Sequence, residues 1–171
     1  MPRFYFIFAL ALGLFPSNPV QAQGTTPSKV GSQQNSQPAP KMDEATVWKK
    51  MIGTWRPGAG EVAGKPMPEQ MKTIRLAIAA EKTYVVDFGG LKDTGTIAVD
   101  LSSALMQMKL TGTEGPNKDK VIPAIFKFDG EKLVVCYDLQ GEKSPSEFKS
   151  PDGSTIVIFN YERVKEEAPA K

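Results

Sequence analysis

The chain has 171 residues, a formal net charge of +2, 40% hydrophobic and 9% aromatic residues, a composition ordinary for a soluble globular domain. The charge excess is too small to point to nucleic acid or to an anionic membrane surface. With one cysteine and no histidine, Ser-His-Asp and Cys-His nucleophile systems and the usual Cys/His zinc sites are excluded, and no catalytic residue, metal or cofactor is expected.

The N-terminus reads as an export signal. Arg3 precedes an apolar run from Phe4 to Phe15, Pro16 and Pro19 end it, and Val20-Gln21-Ala22 offers a cleavage site after Ala22. The run is too short to cross a bilayer, which takes roughly twenty residues. Residues 1–22 are therefore expected to be a signal peptide that exports the chain to the periplasm or medium and leaves no membrane span. A retained anchor or a buried helix is the alternative. Residues 23–41, built from Gln, Ser, Thr, Pro and Gly with Pro38 and Pro40 at the end, cannot bury enough surface to offset their ordering entropy and read as a disordered linker. The folded domain is placed at 42–164, followed by a charged tail at 165–171.

Asp43 and Glu44 mark the start of a short helix whose Val47, Trp48, Met51 and Ile52 recur at helical spacing, and Gly53 stops it. Arg56 to Gly60, RPGAG, is a poor strand, so a break or bulge is expected there. Gly64 to Pro68 is a loop, and Pro68 to Lys72 suits one helical turn. The apolar period then becomes two: Ile74/Leu76/Ile78, Tyr84/Val86/Phe88, Ile97/Val99/Leu101 and Met106/Met108/Leu110. Val121 to Asp138 reads as a hairpin. An Asp129-Gly130 type I′ turn would set Phe128 opposite Glu131, Phe126 opposite Leu133, Ala124 opposite Val135 and Ile122 opposite Tyr137. Pro123 cannot donate to a ladder, so a bulge or break is expected between its strand and the Met106 strand. Val157/Phe159/Tyr161 form the last strand. About eight short strands with tight connections must pair antiparallel, and one consistently apolar face suggests an all-β, closed up-and-down barrel. A two-layer sandwich is the alternative.

From about Met51 to Arg163 the chain resembles a family of small exported lipocalin-like domains of planctomycete type. The resemblance is carried by Gly53-Thr54-Trp55, Gly64-Lys65-Pro66 with Pro68, Thr113-Glu114-Gly115-Pro116, Asp129-Gly130, Leu133, Cys136, Pro145-Ser146-Glu147-Phe148 and Arg163. It departs at RPGAG, where the family continues a regular strand. The resemblance implies a lipocalin-like barrel with a short N-terminal helix and no established activity. It also implies that Trp55 closes one barrel end. Arg163 shares parity with the last strand, and a closed meander brings that strand to the first, so its guanidinium is expected over the Trp55 ring.

Cys136 has no basic neighbour to activate it and reads as a buried thiol or an intermolecular bridge. The 113–119 stretch reads as a polar loop, Asp87 and Asp100 as solvated, and Pro145 to Phe148 as a staple across one barrel end with Phe148 inward. The remaining candidate is the interior. Tyr84, Phe88, Met106, Met108, Phe126 and Tyr137 are expected on its wall, with the mouth opposite Trp55 and a small, apolar, uncharged molecule as the partner. The alternative is a packed core in a non-enzymatic structural or protein-interaction module of the cell envelope, its protein partner unspecified.

Overall fold

A computed structural model describes residues 42–141 and 143–165. The expected signal peptide, the linker and tail residues 166–171 lie outside the described residues.

Helix α1 (Glu44–Met51) starts where Asp43 accepts from the Thr46 backbone N–H at 2.9 Å and the Thr46 hydroxyl at 2.7 Å. Those hydrogen bonds, the backbone one first, hold the Asp43 carboxyl below its usual range. Val47, Trp48 and Met51 form the buried face.

The strands are β1 (Gly53–Val62), β2 (Lys65–Pro66), β3 (Arg75–Ile78), β4 (Thr83–Asp87), β5 (Lys92–Asp100), β6 (Met106–Glu114), β7 (Val121–Asp129), β8 (Lys132–Asp138) and β9 (Ile156–Arg163), with a short 3-10 helix at Glu69–Thr73. Each strand from β3 onward pairs antiparallel with the next, β3 pairs with β1, and β9 returns to β1. The result is a closed eight-stranded antiparallel up-and-down barrel, lipocalin-like in architecture, with the two-residue β2 as a flap on the end of β1. The expected irregularity in RPGAG is a bulge: the β1–β9 register shifts between Pro57 and Ala59.

Three expectations, about the β7–β8 turn, the Pro123 ladder and the Phe148 loop, need correction. The β7–β8 turn is centred on Gly130-Glu131, not Asp129-Gly130. Asp129 faces Lys132, Phe128 faces Leu133, Phe126 faces Val135 and Ala124 faces Tyr137. Gly130 has φ 60° and Glu131 is not among the positive-φ residues. A glycine in the first central position is what a type II′ turn requires, and no second positive-φ residue is then needed. Each partner moves by two residues, so the inward and outward faces are unchanged and the polar Glu131 drops out of the core face into the turn.

Pro123 does not break the ladder to β6, where Lys109 faces Pro123 within a regular register. The Gly112 N–H donates to the Lys120 carbonyl. Alternation from there puts Lys109 and Pro123 at a non-hydrogen-bonded pair, where proline costs nothing on that side. The missing donor faces β8, and pairing on that side stops at Ala124–Tyr137.

Phe148 does not plug a barrel end. It packs outside the wall, against a second apolar cluster of Ile125, Val134, Cys136 and Ile158. β7 and β8 are therefore buried on both faces, inward against the barrel core and outward beneath the β8–β9 connection.

Candidate functional site

Helix α1 covers the barrel end that holds Trp55. The Trp55 indole, 1% exposed, donates to the Met51 carbonyl at 2.8 Å. Arg163 donates to the Ile52 and Lys50 carbonyls at 2.6 Å each, and its guanidinium carbon lies 4.2 Å from the Trp55 ring centroid. Carbonyls that a helix C-terminus leaves without intrahelical partners are thus satisfied by two side chains from the barrel. At the other side of the helix Glu44 pairs with Lys82 at 2.9 Å and accepts from the Trp48 indole at 3.1 Å. Lys82 and Lys50 sit 5.2 Å over the Trp48 and Phe128 rings respectively. This end is closed by packing, by cation–π contacts and by direct hydrogen bonds.

The six residues expected on the ligand wall do not share one mouth. Tyr84, Met108, Phe126 and Tyr137 are buried inside. Met106 is half-buried and faces Phe126 across the β6–β7 ladder, toward the helix end, whereas Tyr137 lies at the opposite end beside Val157. Phe88 is corrected outright. β4 ends at Asp87, and Phe88 stands 44% exposed on the tip of the β4–β5 hairpin. The Phe88 N–H donates to the Leu91 carbonyl at 2.9 Å, so Phe88 closes the turn and does not continue the inward alternation.

The end away from the helix carries a group the sequence reading missed. Asp93, 2% exposed, points inward from β5. It accepts from the Tyr84 hydroxyl at 3.1 Å, the Asn117 backbone N–H at 2.8 Å and the Asn117 side-chain amide at 3.1 Å. The carboxylate thereby ties the β6–β7 loop across the barrel end. Nearby the Tyr137 and Tyr161 hydroxyls are 3.2 Å apart. The signal for Asp93 was present: counting back by twos from Ile97 reaches Gly95 and Asp93. Neither residue favours a strand, so the period-two pattern is legible only from Ile97 onward. Gly95 lacks a side chain because the Tyr84 ring and the Thr111 carbonyl occupy that space.

The chemistry open to these groups is narrow. Burial, then the Asp93 charge and its hydrogen bond, pushes the Tyr84 hydroxyl well above its usual pKa. Burial does the same to Tyr137, with Tyr161 adding to it, and to Tyr161. All three stay protonated donors and supply neither a base nor a nucleophile at neutral pH. Among the described residues, no buried side-chain nitrogen or oxygen lacks a hydrogen-bond partner, and no group of three or more Cys, Asp or Glu is placed to hold a metal. Comparison of the chain with family models, with curated proteins and with solved structures finds no match.

Proposed function

We propose that the chain is an exported, non-enzymatic lipocalin-like barrel that acts as a structural or protein-interaction module of the cell envelope and carries no ligand in its interior. The observation that carries this reading is the state of the interior. Leu133, Val135 and Ala124 are 0% exposed, Phe126 1%, Tyr84 and Met108 2%. These six side chains offer almost no surface to a water-sized probe and so line no void of that size, and the half-buried Val86, Val99, Met106, Phe128 and Phe159 pack against the same core. An eight-stranded barrel is of a width that its own side chains fill or that holds one small ligand. The polar groups inside are already paired with one another, so none calls for a ligand atom. The signal-like N-terminus and the resemblance to exported lipocalin-like domains support the location.

The test is titration of the folded chain with an environment-sensitive apolar dye, in the wild type and in Met106→Trp. No saturable binding in either is expected. Saturable binding lost in Met106→Trp would instead support a small apolar, uncharged ligand on the inner wall.

A further inference from the structure

The outer face of β7, β8 and β9 presents Ile125 and Cys136 at 0% exposure, Val134 at 6% and Ile158 at 8%. These residues point away from the barrel core, and part of what keeps water from them is the stretch 145–149, through Phe148. How that stretch is attached is uneven. Beyond it, the chain is pinned to the β1–β2 turn. The Ser150 hydroxyl accepts from the Gly64 N–H at 3.0 Å and donates to the Ile156 carbonyl at 2.7 Å, and the Gly153 N–H donates to the Ala63 carbonyl at 3.2 Å. Ser150 is itself buried.

Residues 145–149 are held by weaker means. Phe148 is half-buried, with the Lys127 ammonium 4.7 Å over its ring. The Cys136 thiol lies 3.7 Å from the Glu147 carbonyl and 4.0 Å from that of Lys149, at the limit of a weak sulfur donor. The backbone bond found within this stretch, from the Lys149 N–H to the Glu147 carbonyl, is internal to it. Beside the Phe148 ring an open groove of about 490 Å³ runs along the wall, lined by Phe148, Lys149, Val134, Ile158, Asn160 and Gly60 among others. The ring therefore has the wall on one side and free space on another.

We propose that residues 145–149 form a flap, hinged at Ser150, that lifts Phe148 off the barrel wall without unfolding the barrel and so uncovers Cys136 and the apolar face around it. Among the described contacts, opening breaks the packing of Phe148 against the outer apolar cluster, one cation–π contact and two weak thiol contacts, and it leaves every strand ladder intact. Segments with few buried contacts and no ladder bonds open at much lower free energy than the core they cover. The flap does not depend on the packed-module reading, because a barrel with a ligand inside could carry it equally.

Cys136 is the chain's one cysteine and so reports on the opening directly. While it is covered, burial pushes the thiol up to about 11, and it reacts only when released. The experiment is alkylation of the folded full chain with iodoacetamide, in which the thiolate displaces iodide and forms a thioether, followed across a series of low urea concentrations. A labelling rate nearly independent of urea, and well above the rate that global unfolding allows, is expected. Phe148→Ala should raise that rate on the order of tenfold with the strand signal in circular dichroism unchanged. Wild-type labelling that follows the global unfolding slope would overturn the flap. So would a Phe148→Ala rate equal to that of the wild type.

Discussion

Arg163 does more at the residue scale than close a barrel. It is an exposed side chain, and an exposed cation–π contact contributes roughly 0.5–1 kcal/mol. Its two short hydrogen bonds to helix carbonyls belong to a class in which each contributes about 1.5–3 kcal/mol. The hydrogen bonds are therefore the larger effect, and the planar fork matters more than the charge. Arg163→Lys keeps the charge but loses the fork. It is expected to cost about 1–3 kcal/mol, read as a lower urea midpoint with an unchanged slope. A Lys variant as stable as the wild type would assign the contact to charge alone.

The buried tyrosines set the alkaline limit by the same kind of bookkeeping. Tyr84, Tyr137 and Tyr161 have raised pKa values when folded, while unfolded tyrosine ionises near about 10. Their contribution is fully present below that value and is lost as pH rises through and beyond it, because the unfolded chain then releases protons that the folded chain keeps. Each costs up to about 1.4 kcal/mol per pH unit. The urea midpoint should therefore fall above about pH 10, less steeply in Tyr137→Phe. Tyrosinate absorbance in the folded protein at that pH that exceeds what Tyr5, the fourth tyrosine of the chain, can supply would contradict it.

At the scale of elements, what was legible follows from parity, and what was missed follows from local chemistry that parity does not see. The inward faces of β6, β7, β8 and β9 could be read because their alternation is unbroken. They survived a hairpin register that was two residues off, since a shift of two preserves the face. The turn itself was misread because Asp-Gly suits type I′ in isolation, whereas Gly130-Glu131 satisfies II′ with one residue fewer in the positive-φ region. Phe88 kept the alternation on paper, but Gly89-Gly90 ends the strand one residue before it. The apolar outward residues Ile125, Val134 and Ile158 carried a signal too. The near-continuous apolar runs in β7 and β8 fit strands buried on both faces, and the cover comes from the β8–β9 connection, whose Phe148 was expected at a barrel end and packs on the outer wall instead.

Asp93 and Gly95 offer the direct check on the missed part of β5. In Gly95→Ala the new methyl would run into the Thr111 carbonyl and the Tyr84 ring. The strain should cost about 1–3 kcal/mol and loosen the Tyr84–Asp93 hydrogen bond. Equal stability of Gly95→Ala and wild type in urea would mean that the close approach is not there.

For the whole molecule, closure and filling are separate properties. Closure comes from β9 pairing along β1, from Trp55–Arg163 at one end to Val62–Val157 at the other, and it removes the exposed sheet edges that would template association. The filling we propose rests on large inward side chains together with four polar groups, Asp93 and the three tyrosines, that find hydrogen bonds among themselves and with Asn117. A lipocalin-like architecture by itself leaves function open, because fold does not fix function. We infer that this barrel's interior is occupied by its own side chains. Native mass spectrometry of the folded chain, purified from its own host without detergent, tests that most directly. The expected result is the mass of the polypeptide alone, with no small-molecule adduct. A stoichiometric added mass that persists through native desalting and leaves on denaturation would contradict it.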